Sequence, residues 1–338
     1  MTGQHSLTAG TTGTTPETPS SAPATSKLKQ LHQLGLAPVL VLIVLVTIVS
    51  AYDSAFLRFP SLMSLLEQSA PLVLLAIAQG LIVLTGRITL ANAGLASLAG
   101  VLLAKMLDTL GAGAVPAVLI ISALLGLIIG VIHAGTQLPS FIVTLGFLGV
   151  FAGLALWLSG ADSILVTSGY GNVEWISFRL YGIPISFLIV LLLTGVLMVV
   201  MKVFPLGRRI RAVGFNERAA AFSGIRTTRV VVLIFALSGA FSGLAAVFQV
   251  AQLQSAGATT SDSLLLPSIA AVIVGGCSIS GGVGGIGRIL LGSLVIALLR
   301  VGLDLVGVDS AYQPILYGLI VILAIAATVD RRRGTAVA

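Results

Sequence analysis

The chain has 338 residues, of which 57% are hydrophobic and 9% are charged. Because a water-soluble domain carries about 25% charged residues, this composition excludes a soluble protein and indicates an all-α polytopic membrane protein. The net charge of +7 does not indicate nucleic-acid binding, since the Lys and Arg residues lie at the ends of apolar segments, where they mark the cytoplasmic side of a membrane.

The two ends of the chain differ from its middle. Residues 1–35 include a Thr-, Ser-, Pro- and Gly-rich stretch and are predicted to form a disordered polar tail. No apolar core follows a basic start there, so a signal peptide is not predicted. Residues 36–330 are predicted to form the transmembrane domain, and residues 331–338 a basic cytoplasmic tail.

About ten apolar segments are predicted to cross the membrane, with both termini in the cytoplasm. This arrangement places most of the 18 Lys and Arg residues on the cytoplasmic side, and an arrangement of eight segments is the alternative. Segments 93–107 and 264–283 are expected to be broken or re-entrant. Glu67 is expected to precede the second segment, and Pro71 to lie in its first turn. The ten segments are 36–52, 69–85, 93–107, 114–134, 140–158, 183–201, 230–251, 264–283, 286–304 and 312–329.

Five polar side chains within these segments are candidates for lining a translocation path. Solute contact and hydrogen bonding between helices both explain them. No carboxylate is expected near the bilayer midplane, and His133 is expected at the inner end of its helix, which argues against a proton-coupled carrier. Sodium sites built from carbonyl and hydroxyl oxygens stay open. The candidates are Gln79, Asn92, Thr144, Gln249 and Ser278.

Residues 202–229 form a basic loop with seven Lys or Arg residues and one acid, Glu217. A short helix is predicted inside this loop. Asn216 is a suitable N-cap, Glu217 suits the positive end of the helix, and Gly224 can end it in the left-handed conformation. A plain loop needs no capped helix, so the sequence predicts a docking element for a separate cytoplasmic motor protein.

Glycines form a second recurring pattern. The run 275–287 looks like a phosphate-binding loop but lacks its Lys-Ser/Thr ending, so close helix contact and path lining are the two open interpretations. The glycines of this run are Gly275, Gly276, Gly281 and Gly282. Three glycine pairs at a spacing of four residues are predicted to pack helices within the chain, with pairing to a second copy as the alternative. These pairs are Gly126 and Gly130, Gly149 and Gly153, and Gly239 and Gly243.

Six motifs follow one another along the chain. They are Leu138-Pro-Ser-Phe-Ile-Val-Thr-Leu-Gly146, Pro205-Leu-Gly-Arg-Arg209, Ala212-Val-Gly-Phe-Asn-Glu-Arg-Ala-Ala-Ala-Phe-Ser-Gly-Ile225, Leu237-Ser-Gly-Ala-Phe-Ser-Gly-Leu-Ala245, Ile269-Ala-Ala-Val-Ile-Val-Gly-Gly-Cys-Ser-Ile-Ser-Gly-Gly282 and Gly302-Leu-Asp-Leu-Val-Gly-Val308. In their order and spacing, the chain resembles the membrane permease subunit of bacterial ABC importers of the ribose/xylose/galactose type. The resemblance covers roughly residues 60–330.

The resemblance implies an ABC importer permease-like bundle in the bacterial cytoplasmic membrane that carries a monosaccharide or a related polar solute. It implies three protein partners besides the lipid bilayer: a cytoplasmic ABC ATPase, an extracytoplasmic solute-binding protein and a second permease subunit in a homodimer. No catalytic residue, metal site or bound cofactor is expected in this chain, because ATP-Mg would bind to the ATPase. The resemblance further implies a coupling helix that fits a groove of the ATPase, with the residues Asn216, Glu217, Ala219, Ala220, Ser223 and Gly224.

One segment departs from the family pattern. Residues 86–94 read Gly86-Arg-Ile-Thr-Leu-Ala-Asn-Ala-Gly94, where the family commonly has Gly-Gly-Ile-Asp-Leu-Ser-Val-Gly, so Thr89 replaces the acid and Arg87 a glycine. A branched-chain amino acid or a nucleoside is therefore an alternative solute. An ion-coupled secondary transporter is the alternative from a different class.

Overall fold

The computed structural model describes residues 37–167 and 169–328. The predictions for the tail at 1–35 and for residues 331–338 concern residues outside this part. The described residues form twelve α-helices. The helices are α1 Ala37–Tyr52, α2 Phe59–Val83, α3 Ala91–Leu110, α4 Ala114–Thr136, α5 Ser140–Ser159, α6 Ile185–Val203, α7 Pro205–Phe215, α8 Glu217–Phe222, α9 Thr227–Leu253, α10 Leu265–Val274, α11 Ile286–Leu305 and α12 Gln313–Thr328.

Within residues 37–167 and 169–328, strands are confined to two short antiparallel pairs. Strand β1 (Ile164–Leu165) pairs with β4 (Ser255–Ala256), and β2 (Arg179–Leu180) pairs with β3 (Ile183–Pro184). Both pairs connect helix ends on the side predicted to face outward. The fold of the described chain is therefore the all-α membrane bundle that the composition predicts.

Six segments of the described chain are long and apolar enough to cross a membrane. One of them, Ala91–Thr136, contains both α3 and α4. The structure has a helix at each of the ten predicted positions, but α10 has only 10 residues and is about 15 Å long, half of the hydrocarbon thickness. The number of ten crossings therefore stays a prediction.

The two segments expected to be broken behave differently. The first expectation is wrong, because α3 runs without interruption over 20 residues and buries Gly94 and Gly100 against neighbouring helices. The second is confirmed, because α10 ends at Val274 and the chain is non-helical from 275 to 285. Glycines that adopt positive φ, such as Gly276 with φ of 79°, allow the chain to turn there.

Helix α2 begins ten residues before the predicted segment, so the expectations for Glu67 and Pro71 are wrong. Pro71 lies inside the helix, where its ring nitrogen leaves the carbonyl four residues earlier without a partner. That carbonyl belongs to Glu67, and the Gln252 side-chain amide of α9 donates to it at 2.6 Å. The Glu67 carboxylate accepts a 2.7 Å charged hydrogen bond from Arg179. A contact from a distant helix thus allows the proline to be accommodated.

Helix α2 is the centre of the bundle. All its residues from Ser69 to Val83 are buried, and it packs against α9, α10 and α11. Helices α5 and α6 lie at the periphery and expose large apolar side chains such as Trp157 and Leu192, as lipid-facing helices do.

Helices α4 and α9 pack most closely of all, and glycine makes this possible. A Cβ atom on Gly126 would overlap the Phe235 carbonyl, and one on Gly239 would overlap the Ser122 carbonyl. The intramolecular interpretation is therefore correct for the pairs beginning at 126 and 239. A Cβ on Gly149 would meet no atom within 4 Å in the described part of the chain.

This packing makes a testable prediction for stability. Gly239→Ala and Gly149→Ala both gain the better helix propensity of alanine, but only the first forces a Cβ into the α4–α9 contact. We expect Gly239→Ala to unfold more easily by about 1–3 kcal/mol relative to Gly149→Ala, measured by thermal unfolding in detergent. Equal stability of the two variants would contradict the close-contact role of Gly239.

Candidate functional site

Helix α8 has the predicted caps. The Asn216 side chain accepts a hydrogen bond from the Ala219 N–H at 3.0 Å. At the other end, Gly224 has φ of 81°, and the Ile225 N–H donates to the Ala220 carbonyl at 3.1 Å. These bonds satisfy the helix ends internally, so α8 is a defined element of the basic loop.

The residues of α8 divide into a buried and an exposed face. Ala220 is 5% exposed and belongs to the buried apolar core, so it lies on the face of α8 turned away from solvent. Its part in docking stays a prediction. Glu217, Ala219, Ser223 and Gly224 are exposed. Phe222 is 92% exposed and was missed in the sequence.

Below α8, three backbone segments meet without intervening side chains. They are the end of α7 at Gly214, the turn after α2 at Gly86, and the break after α10 at Gly281 and Gly282. The Gly282 N–H donates to the Leu84 carbonyl at 3.0 Å. A Cβ on Gly214 or Gly281 would overlap the backbone of the other two segments. The basic loop therefore touches both non-helical segments at the inner end of the bundle.

The four glycines of the run 275–287 have different surroundings. Gly275 lies against the backbone of α11 at Gly292, Gly276 supplies a turn, and Gly281 and Gly282 form the three-segment contact. Ser278 lies in the same break, where its N–H donates to the Val283 carbonyl at 2.9 Å. This break is a packed part of the inner end of the bundle.

Two of the path candidates come together in the bundle centre. The Asn92 amide of α3 approaches the Gln79 carbonyl oxygen of α2 at 3.4 Å, and the Ser238 hydroxyl of α9 donates to the Asn92 carbonyl oxygen at 3.1 Å. Gln79 and Asn92 are both buried. The Nε2 atom of Gln79 has no hydrogen-bond partner within the described part of the chain.

Gln249 belongs to a second polar layer further along α9. Its carbonyl oxygen accepts from the Ser261 hydroxyl, and the Ser261 N–H donates to the Ser97 hydroxyl of α3 at 3.0 Å. These residues line a cavity of about 10 Å³, the size of one water molecule. The two layers follow one interface, which we call the polar seam. It consists of Gln79, Asn92, Ser97, Ser238, Gln249 and Ser261.

Thr144 does not lie in the polar seam. Its hydroxyl accepts from the Leu90 N–H at 3.1 Å and so holds the turn between α2 and α3 to helix α5. Thr89, which replaces the family's acid, accepts from the Ala91 N–H at 3.2 Å at the start of α3, a bond that a carboxylate also makes. Serines 97, 238 and 261 were missed in the sequence, because serine is common in membrane helices and gives no distinct signal.

Within residues 37–167 and 169–328, no group of three or more His, Cys, Asp or Glu side chains is placed to hold a metal ion. The groups that the site offers are amides, hydroxyls and backbone atoms.

Comparison with known proteins identifies the family. The chain is 37% identical over 290 residues to the ribose import permease protein RbsC of Bacillus subtilis, covering 84% of this chain and 88% of that protein. It is 32% identical to RbsC of Haemophilus influenzae, with 83% and 88% covered, and 31% identical to the D-allose transport system permease protein AlsC of Escherichia coli, with 80% and 84% covered. No solved structure matches the chain significantly.

The family model described as "Branched-chain amino acid transport system / permease component" matches residues 61–325. This match covers nearly all of α2, all of α3 to α11 and most of α12, and so includes α8 and the polar seam. Together with the membrane-capable helices, it makes the chain a transport subunit and a multi-pass protein of the bacterial inner membrane. The chain belongs to the family of branched-chain amino acid transport system permease components.

Proposed function

We propose that this chain is the permease subunit of an ABC importer, and that it carries a monosaccharide. The relatives with the highest identity described above are named for ribose and allose import. The observation that carries the coupling part of the proposal is helix α8, which is capped at both ends and exposes Phe222 on the cytoplasmic side.

ATP hydrolysis is proposed to occur on a separate ATPase, which binds the ATP-Mg while this chain binds no cofactor. Helix α8 is the proposed coupling helix, and the partner contacts its exposed residues Glu217, Ala219, Phe222, Ser223 and Gly224. A solute-binding protein delivers the solute on the outer side, and a second copy of this chain completes a homodimer. Residues 36–330 form the transport domain in this proposal.

Motion of α8 has a short route to the bundle centre. The end of α7 at Gly214 touches the turn at Gly86 and the break at Gly281. The turn at Gly86 leads directly into α3, which carries Asn92 and Ser97 of the polar seam. A displacement of the coupling loop therefore acts on the segments that hold α3 in place.

The chemistry of the polar seam favours a neutral polyol. Its six side chains are amides and hydroxyls, which donate and accept hydrogen bonds with sugar hydroxyls. None of the six carries a charge, whereas transporters of zwitterions commonly provide helix ends or charged groups for the solute charges. The unpartnered Nε2 atom of Gln79 is a donor available to a solute hydroxyl when the seam opens.

An uptake measurement distinguishes the proposed ABC permease from the alternative class, an ion-coupled carrier. The permease is purified with its neighbours from the native membrane and reconstituted into vesicles. ATP-dependent uptake of ribose, competed by other pentoses and hexoses but not by leucine or adenosine, is expected. Uptake by the permease alone, driven by an imposed ion gradient without ATP, would overturn the proposal.

Docking through α8 predicts the effect of Phe222→Asp. An aromatic side chain that becomes buried at the centre of an interface contributes about 2 kcal/mol or more to the free energy of binding. We therefore expect the amount of co-purified ATPase to fall more than about tenfold. Tyr181→Asp is the matched control, since Tyr181 is 95% exposed on the outer side. The assignment of α8 is wrong if Phe222→Asp retains the ATPase as the control does.

The role of Gln79 predicts that Gln79→Leu separates transport from stability. Leucine removes the desolvation cost of the unpaired N–H, but it also removes the acceptor of the 3.4 Å contact from the Asn92 amide. These two effects oppose each other, so the unfolding temperature is expected to stay about the same. The lost solute contact is expected to raise the KM for uptake about five- to tenfold. Gln68→Leu on the exposed side of the same helix is the control, and an unchanged KM in Gln79→Leu would return Gln79 to a packing role.

A further inference from the structure

Arg87 joins three parts of the inner end of the bundle. Its Nη2 atom forms an ion pair with the Glu217 carboxylate of α8 at 2.8 Å. Its Nε atom donates to His133 Nε2 at 2.7 Å, and its Nη1 atom donates to the Thr85 carbonyl at 3.0 Å. The Arg87 side chain is 13% exposed, so these contacts fix it in one position.

The contact with Arg87 determines which nitrogen of the His133 imidazole carries the proton. A guanidinium has only donors, so Nε2 of His133 accepts, and the ring proton lies on Nδ1, which donates to the Leu138 carbonyl at 2.9 Å. The ring packs against Phe235 of α9, with centroids 5.7 Å apart. His133 thus connects Arg87 to the end of α4 and to the helix that carries Ser238.

The turn that carries Arg87 is itself attached on its other side. The Ile88 N–H donates to the Ser140 hydroxyl of α5 at 3.1 Å, next to the bond between Leu90 and Thr144. A pull on Arg87 therefore acts on the start of α3 through a short, hydrogen-bonded turn. An ion pair with a partner as exposed as Glu217 contributes only about 0–1 kcal/mol to stability, so the value of this arrangement lies in its geometry.

We propose that Arg87 is a positioning residue that transmits the movement of α8 to the turn between α2 and α3 and to the end of α4. Loss of Arg87 leaves the ATPase bound and active but uncouples hydrolysis from transport. This inference rests on the proposed function, and it assigns a role to one of the two residues that depart from the family pattern.

The test uses the complete transporter reconstituted with its ATPase and binding protein, with ribose as the probe. Three quantities are measured: ATPase co-purification, ATP hydrolysis, and ribose carried per ATP hydrolysed. For Arg87→Gln we expect normal co-purification of the ATPase and continued ATP hydrolysis. The ribose carried per ATP hydrolysed is expected to fall at least about fivefold, which is the smallest change that coupling between two sites usually produces. Arg208→Gln is the control, since it removes an exposed arginine of the basic loop that has no part in the Arg87 contacts described above.

A second pair of variants tests the contact from the histidine side. His133→Gln retains an acceptor for Arg87, whereas His133→Leu leaves the Nε–H of Arg87 without a partner. We expect His133→Leu to lower ribose per ATP as Arg87→Gln does, and His133→Gln to retain most of it. This pair decides the matter if Arg87→Gln fails to reach the membrane.

The outcomes are distinguishable. An unchanged ratio in Arg87→Gln, or equal ratios in the two His133 variants, overturns the positioning role. Loss of the ATPase from Arg87→Gln also overturns it, since Arg87 would then be a docking residue. Failure of the unmodified chain to retain any ATPase contradicts the proposed function and not this inference alone.

Discussion

At the inner end of the bundle, the backbones of three segments touch because glycine stands at each point of contact. Non-helical backbone at a membrane requires hydrogen-bond partners from within the protein. The turn after α2 and the break after α10 supply such partners to each other, and the end of α7 packs against both. The bond from Gly282 to the Leu84 carbonyl satisfies two of these segments at once. The positions of three elements consequently depend on one another: the break after α10, the start of α3, and α8.

Features encoded by neighbouring residues were predicted well. The cap at Asn216 and the left-handed Gly224 involve residues only a few positions apart, and both are present in the structure. Long apolar runs likewise gave a helix at each predicted position, because the bilayer requires such runs. The break after α10 was predictable from the density of glycine in residues 275–285.

Features that depend on distant residues could not be predicted in this way. Pro71 indicated the start of a helix, but Gln252 supplies the hydrogen bond that the proline displaces, and no local pattern links these two residues. Ala220 is buried because of the way α8 packs on the bundle. The alanines of α8 are chemically identical, so the sequence alone does not show which of them is buried. The contacts of Arg87 join residues 46 and 130 positions apart, so the sequence showed only that Arg87 was unusual.

Helix α9 runs from the neighbourhood of α8 to the opposite end of the bundle as one uninterrupted helix. Four residues separate it from the end of α8. It continues for 27 residues and carries Ser238 and Gln249 of the polar seam. Such a helix is about 40 Å long. Its geometry is that of a lever, since a tilt of about 5° displaces its far end by about 3.5 Å over that length. A tilt of this size at the end near α8 would therefore move the layer around Gln249 and Ser261 by about the width of a water molecule.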